Sequence, residues 1–249
     1  MWVTGEVIER KDWNDKLFSL KIKADVEPYI AGQFIKLSQI RDDKRIARAY
    51  SIVNPPGNDF VEVLAVAVEE GQLSPDLQSL NPGDKIEVTA KATGFMTLDE
   101  IPHGELQGQH LWLLATGTAV GPFIAMLLTD EPWQRFNKVV LVYGVRLAAD
   151  LAYLDTIKQL SLKYPEQFIF VPIVTREDFA GALTCRIPEA ITSGLLEQKV
   201  GIALSEEDSQ VMICGNPGMI SDAQNALLEL GLTKNLRRTP GQITVEKYW

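Results

Sequence analysis

One short segment carries three side chains that can hold a phosphorylated ligand. Arg48, Tyr50 and Ser51 fall within four consecutive residues of a strand-like run. An arginine offers a rigid fork to a diphosphate, a tyrosine offers a ring face and a hydroxyl, and a serine offers a short hydrogen-bond donor. Because such a run on a half-exposed strand is more often ordinary surface, the segment alone does not establish a site.

A second segment has the composition of an anion-binding turn. Residues 71–75 read Gly-Gln-Leu-Ser-Pro and lead into a predicted short helix over 74–80. In this prediction Ser74 is the N-cap and Pro75 takes the first helical position. The free N–H groups at the start of a helix attract anions, so this segment is a candidate phosphate contact.

A third segment is a glycine-containing turn between a strand and a helix. Residues 116–122 read Thr-Gly-Thr-Ala-Val-Gly-Pro, and Pro122 is predicted to open the helix. The glycines let the backbone approach a pyrophosphate. The turn is neither a Walker A nor a GxGxxG sequence, so by itself it is a weak signal.

The last predicted strand ends at a cysteine. Residues 214–219 read Cys-Gly-Asn-Pro-Gly-Met and start a helix. A free cysteine is usually a small core residue, but Cys214 falls at the carboxyl end of a strand, where ligands bind in open α/β sheets. Two aromatic residues, Tyr248 and Trp249, close the sequence. They would expose apolar area unless they packed against something flat.

The elements that must position these residues differ between the two halves of the chain. Residues 1–100 show short alternating runs separated by turn signals, most clearly at 54–58 and 81–84. Six such strands predict a small antiparallel barrel. The predicted strands are residues 3–10, 17–22, 33–40, 46–53, 60–68 and 85–92.

After a connector at 97–109, near-continuous apolar strands alternate with longer helical stretches. This pattern is typical of a parallel sheet that is covered on both faces. The predicted strands are residues 110–115, 139–145, 168–174 and 211–214, and the predicted helices are 122–129, 150–163, 188–198 and 217–230. The expected fold is therefore two-domain, with an antiparallel β-barrel over 1–100 followed by an α/β parallel-sheet domain over 101–249.

Composition narrows the classes of partner. A formal net charge of −9 argues against nucleic acid or an anionic membrane as the main partner. Two cysteines cannot form a four-cysteine iron–sulfur or zinc site, and the two histidines, His103 and His110, lack the spacing of metal ligands on a helix, so no metal is expected. We find neither a signal-peptide pattern nor a membrane-length apolar run, which favours a cytoplasmic location.

Taken in order, these motifs resemble the ferredoxin–NADP reductase family. Arg48-x-Tyr-Ser and Gly71-x-x-Ser match the FAD-binding elements of the family, and residues 214–219 match its Cys-Gly-x-x-x-Met. Residues 116–122 match Thr-Gly-Thr-Gly-x-x-Pro, except that Ala119 replaces a glycine. The terminal Tyr-Trp pair is most similar to the bacterial ferredoxin (flavodoxin) reductases.

The resemblance implies an oxidoreductase that binds FAD non-covalently and uses NADP(H) as substrate. A hydride would pass between NADP(H) and flavin N5, and single electrons between the flavin and ferredoxin or flavodoxin. The implied catalytic residues are Ser51, Cys214, Glu246 and Tyr248. The implied FAD contacts are Arg48, Ala49, Tyr50, Ser51, Ala65, Ala67, Gln72, Leu73, Ser74, Thr116, Tyr248 and Trp249.

Three of these residues have specific implied roles. Tyr248 would lie on the isoalloxazine and Trp249 on the adenine of FAD, while the Glu246 carboxylate would lie near the nicotinamide site and supply protons. A ring stacked on the flavin blocks the nicotinamide, and ring stacking is worth only about 0.5–1.5 kcal/mol beyond area burial. We therefore expect Tyr248 to be displaced by NADP(H) and to gate the reaction.

Arginines after the predicted strands favour NADP(H) over NAD(H). Arg146, Arg176 and Arg186 would converge at one edge of the sheet, where a bidentate guanidinium can bind a 2′-phosphate. Rossmann-fold proteins that bind NAD often have an acidic residue there instead, which hydrogen-bonds to the ribose 2′-hydroxyl. The implied NADP contacts are Thr118, Val145, Arg146, Thr175, Arg176, Arg186, Asn216, Pro217 and Asp222.

Carrier proteins of this kind are acidic, so their docking surface should be basic. The candidates are Arg41, Lys44, Arg45, Arg237 and Arg238, although scattered solvated charges explain them equally well. A monomer is expected to suffice.

Three alternative functions stay open: a flavin or oxygenase-component reductase, an FAD-binding electron-transfer subunit and, least favoured, a non-catalytic ligand-binding module. The electron-transfer subunits usually add a cysteine cluster, which this chain cannot supply.

Overall fold

The computed structural model describes residues 1–247 of the chain, apart from the side chain of Glu105, and the chain divides into two compact units. The first, here the barrel unit, contains Met1–Thr97 together with Gly121–Thr129. The second, here the sheet unit, contains Leu98–Val120 and the chain from Asp130 onward. The domain bounds expected from the sequence, 1–100 and 101–249, remain a prediction.

The barrel unit is built from six antiparallel strands. They are β1 (Trp2–Asp12), β2 (Leu17–Lys23), β3 (Phe34–Arg41), β4 (Lys44–Ser51), β5 (Val61–Val66) and β6 (Lys85–Thr89), in the order β4-β3-β6-β1-β2-β5. The two ends of the sheet meet, because Ile52 and Val63 form an antiparallel bridge and the Val53 N–H donates to the Glu62 carbonyl at 2.8 Å. The predicted barrel is confirmed.

Two helices complete the barrel unit, α1 (Ser74–Ser79) and α2 (Gly121–Leu127). The predicted capping role of Ser74 is wrong. Leu73 is the N-cap of α1, and the Ser74 hydroxyl instead accepts a hydrogen bond from the Val68 N–H at 3.1 Å. The prediction that Pro122 opens the next helix is also wrong by one position, because α2 begins at Gly121 after a short 3-10 turn.

The sheet unit holds a five-stranded parallel sheet. Its strands are β7 (His110–Thr116), β8 (Lys138–Val145), β9 (Phe168–Val174), β10 (Ser209–Gly215) and β11 (Ile243–Lys247), in the order β11-β10-β7-β8-β9. Since the chain runs from β7 to β8 on one side and β10 lies on the other side, the strand order reverses at β7. In open parallel sheets the carboxyl ends of the strands at such a point form a ligand crevice.

Five helices belong to the sheet unit. They are α3 (Glu131–Arg135), α4 (Leu154–Lys163), α5 (Ile187–Thr192), α6 (Leu195–Val200) and α7 (Pro217–Glu229). The single helix predicted over 188–198 is divided at Gly194, whose φ of +74° is left-handed. The helix predicted over 150–163 starts later, at Leu154, and follows a separate 3-10 turn.

The inner layers of both units are apolar. Trp112, Leu114, Val140 and Ile213 lie among the buried residues of the sheet unit, and Phe18, Leu20, Ile35 and Val88 lie among those of the barrel. Within residues 1–247, no helix is both long enough and apolar enough to cross a membrane.

Candidate functional site

The two motifs of the barrel unit lie next to each other. Arg48 lies near the carboxyl end of β4, and its Nη2 donates to Gln72 Oε1 at 2.7 Å. Its Nη1 donates to the Ala47 carbonyl at 2.7 Å. A contact between residues 24 positions apart therefore joins two segments that the sequence could only suggest were neighbours.

The residues of the first motif differ in their exposure to solvent. Arg48 and Ala49 are exposed, whereas Tyr50 and Ser51 are buried. A β-carbon added to Gly121, the first residue of α2, would lie 3.7 Å from Ser51 Cβ and 3.3 Å from Val53 Cγ2. The start of α2 therefore packs closely on Ser51, which leaves little room for a larger residue at position 121.

The residues of the second motif differ in what they can offer to a ligand. Leu73 is buried in the barrel core at 1% exposure, so only its backbone is available to a ligand. Gln72 is exposed and Ser74 is partly buried, with their side chains bonded to Arg48 and to the Val68 N–H respectively.

Two small residues of β5 and its continuation complete the implied FAD set in this unit. Ala65 is buried and pairs with Phe18 on the neighbouring strand, while Ala67 is partly buried and its N–H donates to the Lys16 carbonyl at 2.8 Å.

The donor set of the barrel unit fits an FAD diphosphate. Arg48 has no carboxylate partner among the described side chains, so its charge is available to an anion. The Gln72 amide and the Ser74 hydroxyl supply neutral donors on the same short stretch. A guanidinium flanked by short polar side chains is well suited to a doubly charged phosphate pair.

A polar cradle lies at the carboxyl ends of β7 and β10 in the sheet unit. The Thr116 hydroxyl is buried and has no hydrogen-bond partner in the described chain. A β-carbon at Gly215 would fall 2.4 Å from Thr116 Oγ1 and 2.5 Å from Met219 Cε. Since buried hydroxyls are normally paired, the orphaned oxygen points to a polar ligand group at this edge.

Cys214 and Glu246 lie side by side on adjacent strands. They are paired in register between β10 and β11, and Cys214 is fully buried. Burial raises the pKa of the Cys214 thiol far above its ordinary value, and the Glu246 carboxylate adds to this shift. The thiol is therefore neutral at physiological pH rather than a thiolate.

The three arginines lie on consecutive loops at the same edge of the sheet. Arg146 follows β8, Arg176 comes two residues after β9, and Arg186 immediately precedes α5. The Arg176 N–H donates to the Arg146 carbonyl at 3.0 Å. All three are exposed, and none has a side-chain partner within residues 1–247.

Arg186 is brought to this edge by the path of its loop. Leu183 forms a parallel bridge with Ile173, and the Val174 N–H donates to the Leu183 carbonyl at 2.9 Å. The segment after β9 thus turns back along that strand before α5 begins. A loop whose return is fixed by backbone bonds holds its arginine at a defined edge of the sheet.

The remaining implied NADP contacts cluster near the start of α7 and at the strand ends. Asn216 caps α7, with its side-chain oxygen accepting from the Met219 N–H at 2.8 Å, and Pro217 takes the first helical position. Asp222 is exposed on the same helix. The others are Thr118, in the 3-10 turn after β7, Val145, the last residue of β8, and Thr175, the residue after β9. The implied contacts Tyr248 and Trp249 lie outside the described residues.

One further residue at this edge could not be recognised from the sequence. Glu177, next to Arg176, accepts a hydrogen bond from the Ala148 N–H on the neighbouring loop. In sequence it is one of two adjacent acidic residues, Glu177 and Asp178, which together look like a solvated turn. Only the three-dimensional pairing distinguishes it.

Both halves of the chain match families of known proteins. Residues 6–95 match the oxidoreductase FAD-binding domain, and residues 113–225 match the oxidoreductase NAD-binding domain. The flavodoxin/ferredoxin–NADP reductase of Escherichia coli (strain K12) is 47% identical, with 100% of this chain and 99% of the relative covered. The ferredoxin–NADP reductase of Pseudomonas aeruginosa is 34% identical, over 98% and 96% of the two chains.

A solved structure has the same fold. The ferredoxin NADP+ reductase of Neisseria gonorrhoeae, determined with bound FAD and NADP, superposes with a TM-score of 0.93 at 32% identity. The match covers 100% of this chain and 99% of that one.

Proposed function

The chain belongs to the flavodoxin/ferredoxin–NADP reductase family, and we propose that it passes electrons between NADP(H) and ferredoxin or flavodoxin through FAD. The observation that carries this proposal is 47% identity to a reductase of this kind over the whole length of the chain. Both nucleotide-binding domain types that the reaction needs are present.

The barrel unit has the groups that FAD binding requires. FAD, when bound, supplies the chemistry that couples a two-electron hydride transfer to single-electron exchange. We assign Arg48, Gln72 and Ser74 to the diphosphate, on the basis of the contact that joins the first two. Ser51, buried at the end of β4, is a short donor that can orient the flavin.

In the sheet unit, we assign Cys214 and Glu246 to the nicotinamide. The neutral thiol presents a small uncharged surface that excludes water from the reacting ring. The adjacent carboxylate can hold or release a proton, which is the role the family resemblance implies. The orphaned Thr116 hydroxyl at the same strand ends is available for a further polar contact.

The experiment that tests the proposal follows the colour of the flavin. The purified protein should be yellow, should bleach with NADPH and should then reduce a ferredoxin or flavodoxin. Reduction of free flavin without reduction of either carrier would identify a flavin reductase instead. Binding of FAD with no response to NADPH would identify an electron-transfer subunit.

We assign Arg146, Arg176 and Arg186 to the 2′-phosphate of NADP(H). The support is that three exposed guanidinium groups without protein partners lie on loops at one edge of the sheet. In Arg176→Ala we expect the preference for NADPH over NADH in flavin reduction to fall by about tenfold to a hundredfold, the effect of one charged hydrogen-bonding pair. Lys158→Ala, which removes an exposed cation from α4, is the matched control and should leave the preference unchanged. An unaltered preference in the Arg176 variant would remove this residue from the assignment.

We place carrier docking on the basic residues that the protein itself leaves unpaired. Arg41 forms an ion pair with Asp76 at 2.6 Å, and Arg45 donates to Ser38 Oγ at 2.6 Å while its guanidinium lies over the Trp2 ring. Of the five candidates, Lys44, Arg237 and Arg238 have no side-chain partner within residues 1–247.

Arg237 and Arg238 form the tip of a tight hairpin in the sheet unit. Leu236 and Thr239 exchange two backbone hydrogen bonds on either side of them, at 3.0 and 2.9 Å. Both arginines are exposed, so an acidic carrier could bind them. A cytoplasmic location and a monomeric state stay predictions.

A further inference from the structure

The loops that follow β8 and β9 are joined by backbone hydrogen bonds just beyond the ends of those strands. The Thr175 N–H donates to the Val145 carbonyl at 3.1 Å, and the Arg176 N–H donates to the Arg146 carbonyl at 3.0 Å. These bonds extend the ladder of the two strands into the loops. They bring the backbones of two arginines assigned to the 2′-phosphate together.

A side chain provides the next link in the same direction. The Glu177 carboxylate accepts from the Ala148 N–H, the first residue of the 3-10 turn Ala148–Asp150. On the other side of Ala148, the Leu147 N–H donates to Asp150 Oδ2 at 3.2 Å. Two successive N–H groups of the turn after Arg146 are thus bound by carboxylates, one local and one from the loop of Arg176.

The 3-10 turn is also held by a side chain of β8. The buried Tyr143 hydroxyl donates to the Asp150 carbonyl at 3.2 Å and accepts from the Ala152 N–H at 3.4 Å. These bonds anchor the far end of the turn to β8. The near end, where Arg146 leaves the strand, is joined to the neighbouring loop by the Arg176–Arg146 backbone bond and, one step further along the turn, by the Glu177 contact.

Charge alone does not explain a carboxylate at this position. A negative group beside an anion-binding site repels the anion, and Glu177 forms no ion pair with Arg146 or Arg176 in the described chain. Its observed contact is with a backbone donor of the neighbouring loop. The favourable contribution of Glu177 is therefore geometric.

We propose that Glu177 is a positioning residue for coenzyme selection: its carboxylate ties the turn after Arg146 to the loop of Arg176, so that both guanidinium groups are held where one 2′-phosphate can bind them. This inference rests on the proposed assignment of those arginines to NADP(H). It adds a residue that touches neither coenzyme nor flavin in that assignment.

The test compares two nucleotide fragments and three variants in the FAD-loaded protein by calorimetry. The probe 2′,5′-ADP carries the 2′-phosphate, and 5′-AMP lacks it. In Glu177→Ala we expect the Kd for 2′,5′-ADP to rise about tenfold, the effect of losing one charge-assisted hydrogen bond, with the Kd for 5′-AMP unchanged. Glu177→Gln keeps an acceptor oxygen and removes the charge, so its Kd for 2′,5′-ADP should stay equal or fall.

Asp178→Ala is the matched control. Asp178 is the next residue and is also exposed, but it has no side-chain hydrogen bond in the described chain. Its removal should not weaken either probe. If Glu177→Ala and Glu177→Gln behave alike, or if both probes weaken equally, the positioning role is wrong. Should Glu177→Ala fail to fold, the comparison of Glu177→Gln with Glu177→Asp, whose shorter side chain cannot span the gap, decides the same question.

Two further variants separate this inference from the function on which it rests. The measure is the Kd for 5′-AMP divided by the Kd for 2′,5′-ADP. If Arg176→Ala leaves this ratio unchanged, the assignment of the 2′-phosphate is wrong. If Arg176→Ala lowers the ratio and Glu177→Ala does not, only the positioning role fails. In an Arg146→Ala background, Glu177→Ala should have little further effect, because one of the two guanidinium groups that it holds in relation to each other is already absent.

Discussion

At the scale of single residues, the two cysteines differ in what surrounds them. Cys214 is fully buried between neighbouring strands, whereas Cys185 is partly exposed beside Arg186. Burial raises the pKa of both thiols, with the Glu246 carboxylate adding to the shift at Cys214 and the Glu189 carboxylate at Cys185. Access to reagent therefore separates them more than thiolate content does.

We predict that iodoacetamide labels Cys185 slowly in the native protein and leaves Cys214 unlabelled until the protein unfolds. NADP+ should slow the labelling of Cys185, since the adjacent Arg186 is assigned to the coenzyme. Mass spectrometry of the labelled peptides measures both rates, and Cys185→Ser provides the background. Equal labelling of the two cysteines would contradict the burial argument, and labelling of Cys185 that ignores NADP+ would count against Arg186.

Tyr29 gives the barrel unit an alkaline limit. Its hydroxyl donates to the Pro55 carbonyl at 3.0 Å, and burial raises its pKa from 10.0 to about 12. An unfolded chain releases this proton near pH 10, whereas the folded chain holds it to about pH 12. The stabilising contribution is thus complete below pH 10 and is lost as pH rises from 10 to 12.

We expect the free energy of unfolding, measured with urea, to fall over that pH interval. In Tyr29→Phe the fall should be less steep, and stability at pH 8 should drop by about 1 kcal/mol through loss of the hydrogen bond. The buried Tyr143, whose pKa is also raised, keeps some of the slope in the variant. An identical slope in the two proteins would show that Tyr29 ionises equally in both states.

Residue roles could be predicted from the sequence only where a motif carried them. Arg48 and Gln72 were singled out by two FAD motifs, but the hydrogen bond between them was not predicted, because it joins positions 24 residues apart. The contact of Glu177 with Ala148 was not predictable, because it joins two loops through a backbone donor that any residue supplies. The predicted capping role of Ser74 failed for a similar reason. Its hydroxyl can accept from more than one backbone N–H, and in the structure it accepts from Val68.

At the scale of elements, α1 is too short to be stable by itself. Helices of this length are marginal in water, so contacts from other elements must hold it. Arg10 donates through Nη1 to the carbonyls of Gln78 and Leu80, at the end of α1, and only 15% of its side chain is exposed. At the start of α1, Arg41 pairs with Asp76, and half of the Arg41 side chain is exposed.

We predict that Arg10→Met lowers the free energy of unfolding by about 2 kcal/mol, because it leaves two carbonyls without their charged donor. It should also weaken FAD binding, since α1 follows the Gly-Gln-Leu-Ser segment. Arg41→Gln should cost under about 1 kcal/mol, as expected for an exposed ion pair. Urea unfolding and titration of the apoprotein with FAD provide the two measurements. A larger effect from Arg41 than from Arg10 would reverse the ranking, and Arg10→Lys should restore only part of the loss.

The elements of regular periodicity were predictable and the atypical ones were not. Strand β9 occupies the predicted residues 168–174, because its apolar run is uninterrupted. Strand β11 was missed because it is an edge strand with alternating exposure, and its sequence Ile-Thr-Val-Glu-Lys looks like a polar tail. The break at Gly194 was also missed, since a single glycine inside a helical pattern is often tolerated.

At the scale of the whole molecule, the order of the two fold types follows from the change in hydrophobic period near residue 100. The grouping of α2 with the barrel unit does not follow from that change. All seven residues of α2 are buried, and a helix that is apolar on every side must be covered on every side. Its neighbours are decided by tertiary packing, which a periodic pattern cannot specify.

The balance of charge leads to a prediction about the whole molecule. A net charge of −9 repels an acidic carrier at long range, so productive docking must rely on a local basic surface. Raising ionic strength weakens this local attraction, because the screening length shortens to about 8 Å at physiological salt. With NADPH saturating, reduction of ferredoxin or flavodoxin should slow with added salt far more than reduction of a small neutral quinone.

The hairpin tip provides the local test of this salt effect. The double variant Arg237→Gln, Arg238→Gln should slow carrier reduction at low salt and flatten its dependence on salt, while quinone reduction stays unchanged. Lys158→Gln, which neutralises an exposed cation on α4, is the control and should retain most of the salt dependence. Arg41→Gln should have a smaller effect than the double variant, because Asp76 already compensates the charge of Arg41. If the double variant keeps the full salt dependence, the carrier docks elsewhere, and the two arginines are ordinary solvated charges.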